Sequence, residues 1–125
     1  SDKAWSGLGI AYMKNNQVTK SIEALSRALE ININNDTAMR MLLELSYKEG
    51  RFSHIELALK RYLDVSPFNV NMLFGLAGVQ YKTDCIVDAQ NTLSRIFSIE
   101  PENNDAIELL NQIRIHEENK LEKQI

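Results

Sequence analysis

Catalysis or metal binding needs nucleophiles, bases or ligand atoms that converge, and this sequence offers few of them. Cys85 is the one cysteine, and a thiol nucleophile wants a base beside it, yet no histidine stands near it in sequence. His54 and His116 are far apart, and neither has a second histidine or cysteine at a spacing that holds a metal. The acidic pairs Glu100/Glu102 and Glu117/Glu118 fall in polar stretches, where charge serves solvation. GLG at 7–9 and GLAG at 75–78 sit within helical patterns and follow no strand, so neither is a phosphate-cradling loop. Asn35 opens an NDT tripeptide that formally matches a glycosylation acceptor, with no secretory leader to support it. The reading is therefore non-enzymatic, with no catalytic residue, no cofactor and no metal.

Charge narrows the partners further. With 14 Lys and Arg against 17 Asp and Glu the net charge is −3, the wrong sign for a sequence-independent grip on phosphates. Lys48, Arg51, Lys60 and Arg61 cluster, but Glu44, Glu49, Glu56 and Asp64 interleave them, which describes a mixed, solvated surface. Nucleic acid is excluded on this basis. Apolar runs are broken by charge or amide before bilayer length, so membrane insertion is excluded as well. A lone cysteine cannot form an internal disulfide and sits more easily in a reducing compartment, which favours the cytoplasm. The 125 residues are one domain's worth, and the opening SDKAW reads as a cut from a longer polypeptide.

What must position these residues is a repeat. Pro67 and Pro101 are 101 − 67 = 34 positions apart, and the same step relates Leu8, Leu42, Leu76 and Leu110; Leu25, Leu59 and Leu93; Ile31, Val65 and Ile99; and Asn35, Asn69 and Asn103. Within each period the apolar residues are spaced as on helices, in two runs. Polar breaks at 14–17, 49–51 and 82–84 divide the runs. Asn35, Asn69 and Asn103 stand where each new helix starts, placed to accept a bond from an unpaired N–H of its first turn. The two prolines stop the helices before them, since proline lacks the N–H that would continue the ladder.

Two antiparallel helices per 34 residues, with Trp5-x-x-Leu8-Gly9-x-x-Tyr12 at the start, resemble the tetratricopeptide repeat (TPR) family. Ser21, Leu25, Ala28 and Ile33 take the family's small, large, small and proline positions. The second unit keeps Leu42, Gly50, Leu59 and Pro67 but puts Leu43 and Tyr62 where small residues are usual; the third keeps Leu76, Ala77, Ala89, Leu93 and Pro101. The resemblance implies an all-α, right-handed α-solenoid of three helix-turn-helix repeats, 2–34, 36–68 and 70–102, closed by a capping helix over 104–122. That helix should turn Ala106, Ile107, Leu110 and Ile113 toward the third repeat. Gly9, in phase with Leu43 and Ala77, is expected to let the second helix of its hairpin approach closely. Gly7 has no comparable account in the sequence.

The family's first helices line a concave groove, and the resemblance places Ser6, Arg40, Phe74, Ile10, Glu44, Gly78, Met13, Tyr47 and Tyr81 there. The implied function is a non-enzymatic scaffold that binds a partner peptide or protein through Ile10, Met13, Arg40, Glu44, Tyr47, Phe74 and Tyr81, with Met13, Tyr47, Tyr81 and Ile115, 34 positions apart, expected to form an apolar ridge bearing two hydroxyls and Tyr47 and Tyr81 as its principal contacts. The alternative is an accessory or self-assembly domain of a larger enzyme or complex. Members that grip a chaperone's acidic tail use Lys, Arg and Asn at positions that hold Ser6, Ile10, Met41, Asn71 and Gly75 here, so that clamp is absent. The N-terminal end opens at once into Trp5, Leu8 and Ile10 without a preceding helix, so the first hairpin should be the least protected and a candidate for self-association.

Overall fold

In a computed structural model, described over residues 1–124, the chain forms seven α-helices. They are α1 (Asp2–Lys14), α2 (Val18–Ile31), α3 (Asp36–Glu49), α4 (Ser53–Val65), α5 (Val70–Lys82), α6 (Ile86–Ile99) and α7 (Asn104–Gln124). This is an all-α chain of helical hairpins, the solenoid class. Two compact units are present, one of α1–α4 within Ser1–Val65 and one of α5–α7 from Ser66 onward.

The helix starts are built alike. Ser1, Asn35, Asn69 and Asn103, each 34 positions from the next, accept a bond from the amide three residues on, at Ala4 (3.2 Å), Ala38 (2.9 Å), Met72 (3.1 Å) and Ala106 (2.9 Å). The turns inside the hairpins are alike too. Asn16, Gly50 and Asp84 have φ of 60°, 67° and 62°, the left-handed region that asparagine, glycine and aspartate enter more readily than other residues. The next amide then bonds back five residues, Gln17 to Tyr12 (2.9 Å), Arg51 to Ser46 (3.0 Å) and Cys85 to Gln80 (2.8 Å), which satisfies carbonyls the ending helix leaves open. Polarity alone shows these breaks in the sequence; the shared 34-residue step among Asn16, Gly50 and Asp84 also marks their geometry.

In the first unit α1 and α2 lie together along their length. A Cβ on Gly9 would stand 2.7 Å from Leu25 Cγ and 2.8 Å from its Cδ2, so only glycine permits this approach. The Ser21 hydroxyl donates to the Gly9 carbonyl at 2.7 Å across the same seam. Leu25, Leu29, Leu42, Ile55 and Leu59 fill the core, each 1% exposed or less. By contrast α3 and α4 meet over a short stretch, with half-buried Leu43 where Gly9 stands in the first hairpin.

In the second unit α5 and α6 again lie together, with Ala77, Leu93 and Ile96 buried. The Thr92 hydroxyl donates to Gln80 Oε1 at 2.7 Å, which supplies a partner for a buried amide. One expectation is corrected in α7: the stripe it buries is Ala106, Leu109 and Ile113, while Ile107 is 40% exposed and Leu110 half-buried. Residues 106, 109 and 113 share one narrow helical face, and α7 packs on α5 and α6 with that face alone. Lys120 of α7 also pairs with Asp84 at 3.1 Å, and that bond, against some desolvation, holds its ammonium above the ordinary value.

Candidate functional site

The groove residues expected from the sequence fall on three helices. Ile10 and Met13 on α1 are half-buried, Arg40, Glu44 and Tyr47 on α3 are exposed, and Phe74 and Tyr81 on α5 are half-buried. Ser6 departs from the expectation. It is 5% exposed because Asn35 Nδ2 donates to its hydroxyl at 2.8 Å, so the loop before α3 covers it.

That bond belongs to a cluster the sequence did not announce. Asn35 caps α3 through its carbonyl oxygen while its amide also donates to Asp2 Oδ2 at 2.9 Å, and Asn32 Nδ2 reaches the same oxygen at 3.3 Å. Burial pulls the Asp2 carboxyl up, but the bonds from Asn32 and Asn35 outweigh it and hold the group below its ordinary 3.8. An open hollow of about 500 Å³ lies beside this cluster, with Ile10, Gly7, Asn34 and Thr37 on its wall. The available signal was the loop NINND at 32–36, richer in amides than SPFNV at the matching positions. An amide-rich lip next to an isoleucine can bond a peptide backbone and cover one apolar side chain.

Tyr47 packs edge to face on Phe52, with ring centroids 5.3 Å apart and planes at 84°. Burial of part of the ring raises its phenol above the ordinary 10.0, so at neutral pH it is an uncharged hydroxyl on an anchored ring. Arg40 and Glu44 stand one turn apart on the same helix. In the second unit Tyr81 meets His116 of α7 edge to face, with centroids 5.9 Å apart and planes at 90°. The capping helix therefore holds Tyr81 in place and covers part of it, a contact the sequence reading did not foresee.

Cys85 is an exposed free thiol, and His54 Nδ1 lies 3.5 Å from the Ser53 hydroxyl at the surface. Among the described residues no three of His, Cys, Asp and Glu are grouped to hold a metal ion, and no helix is long and apolar enough to cross a membrane.

Comparison with known proteins bears on the fold and on the first hairpin. Residues 2–35 match the family model described as tetratricopeptide repeat. No curated protein matches the chain in sequence. Among solved structures, the first TPR domain of human RPAP3 superposes with a TM-score of 0.68 at 13% identity, covering 97% of this chain and 95% of that one. The second TPR domain of human RPAP3, solved in complex with an HSP70 peptide, gives a TM-score of 0.66 at 13% identity, with 91% and 98% covered. The TPR domain of Arabidopsis OM64 gives 0.65 at 17% identity, with 93% and 96% covered.

Proposed function

We propose that this chain, whose residues 2–35 match the tetratricopeptide-repeat model and whose fold is that of tetratricopeptide-repeat domains, is a non-enzymatic interaction module that captures a peptide segment of a partner protein. The observation that carries this reading is the hollow of about 500 Å³ in the first unit, where Asp2, Asn32 and Asn35 present polar atoms beside Ile10. Met13 and Tyr47 extend the apolar surface, and Arg40 and Glu44 add one charge of each sign. Tyrosine suits the task because it offers a large contact with little rotamer entropy to lose, and methionine adapts to irregular shapes. In the second unit Phe74 and Tyr81 supply aromatic surface of the same kind. The second TPR domain of human RPAP3 was solved with an HSP70 peptide, which supports peptide capture as the class of activity. The clamp positions argue for a different ligand here: Ser6, Ile10, Met41, Asn71 and Gly75 bring no cation, so the clamp for an acidic tail is missing, and Lys3 is the single cation on the wall of the hollow. The fitting ligand is a segment with one large apolar side chain flanked by polar groups. Affinity should be micromolar, since a short peptide loses much entropy on binding.

The test is binding of a fluorescent peptide panel that contrasts apolar-anchored segments with segments ending in acidic residues. Tyr47→Ala should weaken capture of apolar-anchored peptides about tenfold, roughly 1.4 kcal/mol, with the helical circular-dichroism spectrum unchanged. Equal binding of acidic tails, or unchanged capture by the variant, would overturn the reading.

A further inference from the structure

A notch between α2 and α4 of the first unit holds polar groups that the fold leaves unused. Ser26, Leu29 and Glu30 lie one turn apart on α2, and His54, Leu57, Ala58 and Arg61 share one face of α4; together they line a hollow of about 60 Å³. The Ser26 hydroxyl oxygen is buried and has no hydrogen-bond partner among the described residues. A buried hydroxyl in that condition opposes folding, and native proteins keep few of them without a use. Its counterpart 68 positions on, Ser94, donates to the Gln90 carbonyl at 3.1 Å.

Arg61 stands apart in the same way. Of the three arginines that recur every 34 residues, Arg27 pairs with Glu30 at 3.1 Å and Arg95 donates to the Pro67 carbonyl at 3.2 Å. Half-buried Arg61 makes neither a hydrogen bond nor an ion pair among the described residues. Glu30, the one carboxylate on the wall, is already held by Arg27. The notch thus joins an unengaged guanidinium, an unpartnered hydroxyl and the His54 ring, all able to donate, with apolar walls from Leu29, Leu57 and Ala58.

We propose that this notch is a specificity pocket for one glutamate side chain of a partner protein. Charge sets the sign of the ligand: the planar fork of Arg61 matches the two oxygens of a carboxylate, and the Ser26 hydroxyl can give one of them a further bond. Size sets its source. About 60 Å³ is the liquid volume of roughly two waters. That admits a carboxylate and the methylene that carries it, and it excludes a chain terminus, whose carboxylate sits on a branched carbon. The two unbranched methylenes of glutamate can pass along Leu57, which is 62% exposed at the mouth, whereas the single methylene of aspartate presses the backbone onto the rim. A phosphate brings a fourth oxygen and a second charge, for which the wall holds no second guanidinium or ammonium.

The test uses the whole 125-residue chain, with the His54 ring and Arg61 side-chain resonances as reporters. Glutamate blocked as N-acetyl and N-methylamide should shift both and saturate at about 10 mM, the weak range of one ion pair with a few apolar contacts. Blocked aspartate should bind several-fold more weakly and blocked glutamine should not bind. Arg61→Gln should abolish the shifts, and Arg95→Gln should leave them unchanged. Ser26→Ala should cost about fivefold in affinity, the net value of one hydrogen bond, and raise the thermal midpoint, because alanine removes the unpartnered hydroxyl. Binding of acetyl-leucine or inorganic phosphate as tight as that of blocked glutamate, shifts that survive Arg61→Gln, full affinity in Ser26→Ala, or shifts that do not saturate would overturn the proposal. No residue of this notch lines the peptide hollow, and Tyr47→Ala should leave the glutamate titration unchanged, so the two proposals fail separately.

Discussion

The hairpins α1–α2 and α3–α4 share a repeat length and a turn, and they differ in how closely their helices lie. In the first, Gly9 leaves room for Leu25 and Ser21 bonds the Gly9 carbonyl. In the second, Leu43 occupies the same phase and the helices meet briefly. A single position thus sets the width of a hairpin whose other determinants are conventional, and a helix-destabilising glycine is retained where its missing side chain is the contact.

Placing the second hairpin's residue in the first tests this most severely. Gly9→Leu should destabilise the first unit by about 3 kcal/mol or more, because a buried seam cannot absorb four extra carbons; a denaturant midpoint close to wild type would break the comparison. Gly9→Ala should cost about 1–2 kcal/mol despite alanine's better helix propensity, and much of that cost should vanish in a Leu25→Ala background, where the added methyl has space. Ser21→Ala should cost about 1 kcal/mol, the usual net value of one buried hydrogen bond. Gly7→Ala should run the opposite way and stabilise by about 0.5–1 kcal/mol, seen as a higher thermal midpoint, since nothing surrounds that position. The smallest effect concerns Asp2. Its carboxyl titrates below the ordinary value, so the tie to Asn32 and Asn35 is present above pH 3.8 and is lost as pH falls through the lowered value. The Asn35 side-chain amide resonances should shift over that acid range in wild type and stay still in Asp2→Asn.

The same two glycines show what the sequence could carry. The 34-residue step, the asparagine caps and the close approach at Gly9 were legible because backbone geometry restricts which residue types fit. Gly7 was not legible, because its neighbourhood within the chain is empty space. Ile107 and Leu109 show another limit: both are apolar and both fit a helical stripe, and only the set of helices packed on α7 decides which of them is buried. The site was the least legible part. The family resemblance assigns Ser6 to an open groove wall, whereas its fate depends on Asn35 turning an amide back onto α1 across 29 residues of sequence. The edge-to-face contact of Tyr81 with His116 is equally non-local.

The left-handed residues at 16, 50 and 84 also bear on how the chain reaches its fold. Each turn closes through a bond spanning five residues, so the two helices of a hairpin find one another without closing a long loop. Such local closures belong to the fast end of folding, where hairpins form in microseconds to milliseconds rather than waiting for distant partners. The long seams of α1–α2 and α5–α6 make these hairpins the natural nuclei, one in each unit. With its short seam, α3–α4 is expected to order later, against a first hairpin already formed.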